Sequence, residues 1–173
     1  MTDFVTQEVR SWMMSNVRGK NTQLELLIRR GLHAAGFRFR IHARILPGKP
    51  DIVLPKYRAV VFVHGCFWHG HNCPKFSWPQ SNTGFWQRKL QRNFEVDKKN
   101  REELFQLGWR QLIIWECAIR GKSRLELSQI IEHIAQWLRS EQLYDEIVGT
   151  ISQVSEAIQI HPRQREITPQ QTH

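Results

Sequence analysis

The sequence predicts an α/β fold with a mixed central sheet flanked by helices. Three observations carry this. Residues 59–63 are an unbroken apolar run, as expected of a strand covered on both faces, and residues 109–115 read as another apolar strand. A long stretch of helical spacing lies between them and suits a crossover connection. Helical periodicity also precedes and follows these runs, so the order reads helix, three strands, helix, strand, helix.

Residues 1–21 are polar and basic, with apolar points at Val9, Trp12, Met13 and Val17 that allow a short helix ordered on a partner. Residues 22–32 read as a helix with Leu24, Leu27, Ile28 and Leu32 on one face. Thr22 and Glu25 have capping-box spacing, and Gly36 closes the end. Residues 37–45 alternate strictly. Phe37, Phe39, Ile41, Ala43 and Ile45 oppose Arg38, Arg40, His42 and Arg44, which predicts a strand with a basic face. After the turn at 47–50 come a short strand at 51–54, a second turn and the apolar strand at 59–63.

Residues 64–84 form a long irregular loop holding most of the unusual residues, and such loops usually carry function. Residues 85–107 are a long helix ended by Gly108, and 109–115 the next strand. Ser123-x-x-Glu126 is a second capping box, opening an amphipathic helix with Leu127, Ile130, Ile131, Ile134 and Leu138. Beyond Ser140, Leu143, Ile147, Ile151, Val154 and Ile158 permit one more helix, and from His161 the tail is polar.

At 173 residues the chain suits one domain plus a tail. No window approaches 18 apolar residues and the N-terminus lacks a signal-type apolar core, so a cytoplasmic protein is expected. Twenty-five Lys and Arg against 16 Asp and Glu give a charge of +9, which favours a polyanion partner, nucleic acid first. The three cysteines, Cys66, Cys73 and Cys117, argue against a disulfide framework and, beside histidines, for metal.

The string His64-Gly-Cys66-Phe-Trp-His69-Gly-His71-Asn-Cys73 puts three histidines and two cysteines within ten residues. Imidazole and thiolate are preferred zinc ligands. His71 and Cys73 supply two close ligands, Cys117 could supply a third and Asp97 on the long helix could complete a tetrahedron, the alternative being a polar loop with incidental cysteines. Cys66, among apolar neighbours, is set aside as a buried free thiol. Asp51 follows a turn and opens a strand, where a carboxylate holds Mg²⁺ through oxygen or simply caps the strand. His69 and His64 remain as candidate bases for activating water, with a structural role the alternative for His64. The capping box alone accounts for Glu25. Phe67, Trp68 and Trp86 flank this region, as core side chains or as wedges between base steps.

Pro50-Asp51, the string from Val60 to Cys73, Gly108-Trp-Arg and Trp115-Glu-Cys117 closely resemble the very short patch repair (Vsr) endonucleases. Arg10-Ser-x-Met-Met14, Arg18-Gly-Lys-Asn-Thr22 and Glu25 resemble the family's N-terminal segment, and the likeness runs from about residue 8 to 138. The resemblance implies a fold related to the PD-(D/E)xK nucleases. It implies Mg²⁺-dependent nicking 5′ to the thymine of a T:G mismatch, of the kind left by deamination of 5-methylcytosine. It implies that Asp51 and the main-chain carbonyl of Val63 hold Mg²⁺, that His69 is the general base, and that His64 and Glu25 support the site. Val63 stands where a member of the family has threonine, and valine keeps the carbonyl. His71, Cys73, Asp97 and Cys117 would hold structural Zn²⁺. Phe67, Trp68 and Trp86 would enter the duplex from the major groove and Met14 from the opposite side. The +9 charge and the basic face of Arg38, Arg40 and Arg44 predict contacts to phosphates.

The expected organisation is a DNA-contacting segment at 1–21, a nuclease domain at 22–140 and a partly disordered extension at 141–173. Expected partners are double-stranded DNA with a T:G mismatch and mismatch-repair proteins such as MutL, for a nucleoid-associated monomer away from membranes. The rival readings are a zinc-stabilised DNA-binding module without catalysis and a restriction-like enzyme cutting matched duplex.

Overall fold

The computed structural model describes residues 21–41 and 43–150, built around a four-stranded sheet. The strands are β1 (Ile52–Leu54), β2 (Ala59–His64), β3 (Arg110–Trp115) and β4 (Tyr144–Ile147), in that spatial order. β1 pairs antiparallel with β2, while β2–β3 and β3–β4 are parallel, so the sheet is mixed as expected. The helices are α1 (Gln23–Ala34), α2 (Thr83–Gln106), the short α3 (Glu116–Ile119) and α4 (Leu127–Arg139). Helix α2 is the crossover from β2 to β3, and α4 from β3 to β4.

The apolar runs form strands because both sheet faces are covered. Ile28 and Leu32 of α1 and Ile130 and Ile134 of α4 close one core cluster with Val61, Leu112 and Ile114. Leu104 of α2 covers Val53 and Val60 on the other face. Where α1 crosses α4, a Cβ on Gly31 would stand 2.7 Å from the Ile131 side chain, so the helices approach where a side chain is absent.

The Thr22–Glu25 capping box is present in full. Gly108, at φ +74, follows the end of α2 in the left-handed conformation that favours glycine there. The second capping box differs from expectation: Glu126 is the N-cap and Gln129 its partner. Ser123 lies in the preceding turn, its carbonyl accepting from the Thr150 N–H at 2.8 Å.

Two further expectations are corrected. Among the described residues of 37–45 no strand forms. Of these, Arg40 pairs with Val53, through two backbone hydrogen bonds of 2.8 Å. The alternating face buries Phe37 but not its later members, Ile41 being 42% and Ile45 93% exposed, and the turn bonds Leu46 N–H to Ala43 and Lys49 N–H to Leu46 bend the chain away. The expected helix after Ser140 is strand β4 in its described part. The free edge of β3 accepts it, the Gln111 N–H donating to the Leu143 carbonyl at 2.8 Å, and of its apolar residues Ile147 is buried while Leu143 is exposed. Ile151, Val154, Ile158 and Met14 lie outside the described residues. Among the described residues no helix is long and apolar enough to cross a membrane.

Candidate active site and metal centre

Parallel strands β2 and β3 end side by side at His64 and Trp115. Because β1 runs antiparallel to β2, its first residues lie beside the carboxyl end of β2, where open α/β sheets place their sites. Asp51 therefore reaches Val63, whose N–H donates to Asp51 Oδ2 at 2.8 Å. A cleft of about 780 Å³ opens there, lined among others by Glu25, Asp51, His64, Trp68, His69 and Asp97.

Burial raises the Asp51 pKa to about 6; the Val63 hydrogen bond opposes this and the Glu25 carboxylate adds to it. Glu25 is itself buried and fully engaged. It accepts from the backbone N–H groups of Asn21 and Thr22, from the Thr22 hydroxyl, and from Arg29 Nη2 at 2.8 Å. The same Arg29 nitrogen donates to the Asp51 carbonyl at 3.0 Å. Glu25 thus caps α1 and acts on Asp51 through charge and through Arg29. Arg29, one turn from Glu25 and on the same helix face, went unnoticed in the sequence because its spacing also suits an ordinary surface pair.

The imidazoles of His64 and His69 stack at 3.7 Å between centroids, 4° from parallel. Burial, then the neighbouring His69, lowers the His64 pKa to about 3, so His64 is neutral at physiological pH. Its Nδ1 is buried with no hydrogen-bond partner among the described residues. Asp97 does not join the metal cluster expected from the sequence. It lies on α2 with Oδ2 2.5 Å from His69 Nδ1. An ionised Asp97 places the proton on Nδ1 and leaves Nε2 of His69 as the lone-pair nitrogen. Asn93, one turn earlier on α2, donates to the Trp68 carbonyl at 2.8 Å. The i,i+4 repeat of polar residues Asn93 and Asp97 was the available signal for this face.

The second cluster is Cys66, His71, Cys73 and Cys117, with ligand atoms within 4.8 Å of one another. Cys66 takes the place expected for Asp97, which α2 holds on the cleft side. Burial of Cys66 was expected, but its neighbours are metal-ligating types: it accepts from the Cys117 N–H at 3.3 Å, and Cys117 Sγ is 3.7 Å from His71 Nδ1. The Gly149 N–H approaches Cys117 Sγ to 3.4 Å. A Cβ on Gly149 would meet the Cys117 carbonyl oxygen at 2.5 Å, so this approach requires glycine. Three sulfurs and one imidazole nitrogen, with backbone N–H groups directed at sulfur, suit a closed tetrahedral metal site. Burial raises the Cys66 thiol pKa, the cost a cation removes by taking the thiolate. For the cleft, the Asp51 carboxylate offers hard oxygen ligands of the kind Mg²⁺ takes.

Phe67, Trp68 and Trp86 pack as one half-buried aromatic group, with centroids 5.1 Å apart for Phe67–Trp86 and 6.0 Å for Trp68–Trp86. Trp68 also lines the cleft. Arg38, Arg40 and Arg44 are exposed on the irregular segment rather than on one strand face, and Arg44 lines the cleft.

Residues 2–75 match the family described as DNA mismatch endonuclease Vsr. The chain is 44% identical over 136 residues to the type II nicking enzyme V.NmeAIP of Neisseria meningitidis serogroup A, covering 78% of this chain and 97% of the relative. It is 44% identical over 126 residues to the type II nicking enzyme V.XorIIP of Xanthomonas oryzae pv. oryzae, covering 73% and 93%. To the DNA mismatch endonuclease Vsr of Escherichia coli K12 it is 39% identical over 141 residues, covering 82% and 90%. Taken with these relatives, the α/β fold and its cleft belong to a DNA endonuclease. The chain is a member of the Vsr family of DNA mismatch endonucleases.

Proposed function

We propose that this endonuclease nicks one strand of duplex DNA, in Mg²⁺, 5′ to the thymine of a T:G mismatch left by deamination of 5-methylcytosine, and so begins a short repair patch. The observation that carries the reading is the facing of the Asp51 carboxylate and the Asp97-held His69 imidazole across one cleft. Asp51 and the Val63 carbonyl hold Mg²⁺, which when bound neutralises charge on the scissile phosphate. His69 Nε2 takes the proton of the attacking water, and Asp97 fixes the tautomer that makes this possible. His64, neutral and packed on His69, keeps that ring in plane, and Glu25 supports Asp51 through Arg29. Cys66, His71, Cys73 and Cys117 hold a structural Zn²⁺. The fold is related to the PD-(D/E)xK nucleases, with Pro50-Asp51 opening β1 of a mixed sheet. Residues 1–21 contact DNA, Met14 entering the duplex from the side opposite the aromatic group, and Arg38, Arg40 and Arg44 contact phosphates. The enzyme works on nucleoid DNA as a monomer, with mismatch-repair proteins such as MutL. A supercoiled plasmid carrying one T:G pair tests the reading: open circles with Mg²⁺ are expected, and linear product or no product contradicts it.

Mg²⁺ and a proton compete for Asp51. Below a pKa of about 6 the apparent Mg²⁺ affinity of the DNA-free protein is expected to fall by about tenfold per pH unit, and above it to level off. Calorimetric titration at several pH values measures this, and a flat affinity across that range contradicts the assignment.

Trp68→Ala is expected to lower the preference for T:G over T:A duplex by roughly 10- to 100-fold, since a wedge enters an imperfect pair more readily and stacking returns about 1–3 kcal/mol. Non-specific affinity, set by phosphate contacts, changes little. Anisotropy titrations on both duplexes with a folded variant provide the check, and an unchanged ratio removes Trp68 as the wedge.

A further inference from the structure

Trp115, the last residue of β3, stands between the cleft and the cysteine cluster and touches both. Its indole stacks on His71 of the cluster at 4.1 Å and 11°. It meets His64 at 5.5 Å and 73°, and His69 at 6.3 Å and 71°. The ring is therefore the wall against which the His64–His69 pair is seated. A ring in that place positions its neighbours only if its own rotation is fixed.

Strand β4 supplies the fixing. Trp115 Nε1 donates to Glu146 Oε2 at 2.7 Å. The other oxygen, Oε1, accepts from the Tyr144 hydroxyl. Tyr144 and Glu146 alternate along β4 and so share one sheet face. The Arg101 guanidinium lies 4.6 Å from the Tyr144 ring centroid, and Arg101 also lines the cleft. Both carboxylate oxygens of Glu146 are thus directed at side chains that lead to the cleft, and a hydrogen-bonded network of this kind holds a single geometry.

We propose that Glu146 is a positioning residue for nicking: through the Trp115 N–H it sets the indole that seats His69 and His64 on one side and packs the cluster through His71 on the other. This rests on the reading of His69 as the base. A role in folding alone would change stability or zinc content and leave the chemical step of folded protein untouched.

The test is T:G nicking kinetics for Glu146→Ala, Glu146→Gln, Trp115→Phe and the Glu146→Ala/Trp115→Phe pair, with zinc content measured on each. Glu146→Ala and Trp115→Phe are each expected to lower kcat by about 10- to 100-fold, with KM for DNA within about 3-fold and zinc retained. The pair is expected to be no slower than either single variant, because both remove one interaction. Glu146→Gln is expected within about 3-fold of the parent, since its amide oxygen still accepts the indole N–H. In DNA-free protein, the imidazole proton NMR signals of His69 and His71 are expected to shift in Glu146→Ala, as the indole ring moves, and to hold in Glu146→Gln. Parental kcat in Glu146→Ala, multiplicative losses in the pair, or unmoved imidazole signals overturn the proposal. Should Glu146→Ala fail to fold, Trp115→Phe decides, because it removes the N–H together with the pyrrole ring while keeping an aromatic side chain there: a parental kcat overturns. A His69→Ala control separates the two levels. If it is inactive while Glu146→Ala is parental, only this inference falls; if it nicks at the parental rate, the base assignment falls and takes this inference with it.

Discussion

Asp51→Asn is expected to reduce nicking by about 1,000-fold or more, the scale on which loss of a transition-state electrostatic group acts. The amide keeps the shape of the side chain and its oxygen still accepts the Val63 N–H, so the variant should fold and bind T:G duplex within a few fold of the parent. A stability signature accompanies the loss. The folded-state pKa of Asp51 is raised to about 6, so its contribution to stability is fully present below the unfolded value of 3.8 and is lost as pH rises through about 6. Without Mg²⁺, Asp51→Asn should therefore melt above the parent at pH 8, and that gap should narrow toward pH 5. Residual nicking at a tenth of the parental rate would remove Asp51 from the chemistry.

Cys66→Ser is the second large effect. The cluster ties the loop after β2, through Cys66, His71 and Cys73, to Cys117 of α3 just beyond β3. Loss of one thiolate should drop zinc from about one per chain to well below that, and lower the melting temperature by on the order of 10 °C, since structural zinc contributes folding free energy directly. Asp97→Asn should keep its zinc while nicking falls, because Asp97 faces His69. Cys66→Ser retaining full zinc, or Asp97→Asn losing it, would contradict the division of ligands between the two sites.

The fold was legible where burial is two-sided. The apolar runs that became β2 and β3, and the helices around them, need only periodicity to be read. The segment at 37–45 misled because strict alternation marks a strand only if a partner and a buried face exist, and the chain supplies Arg40 with one partner residue. Strand β4 was hidden because Leu143 and Ile147 also fit a helical period, and its pairing comes from the open edge of β3, far away in sequence.

At the site, residue types were readable and partnerships were not. The His/Cys string suggests metal, but which four side chains gather depends on which way α2 presents Asp97. Cys66 among apolar neighbours has the sequence character of a core thiol; only the fold brings Cys117 to it. Asp97 could be named from its position but not paired with His69 28 residues away. Glu146 lies beyond the stretch whose pattern carried information and gains its meaning only through Trp115.

One measurement bears most directly on the central claim. Duplexes identical except for a single T:G, T:A or C:G pair, end-labelled on each strand in turn, are incubated with the protein and Mg²⁺. The account predicts one cut, on the thymine strand 5′ to the mismatched base, in the T:G duplex alone, and none without Mg²⁺ or with Asp51→Asn. Cutting of matched duplex, cutting of both strands, or an undiminished cut by Asp51→Asn would contradict it.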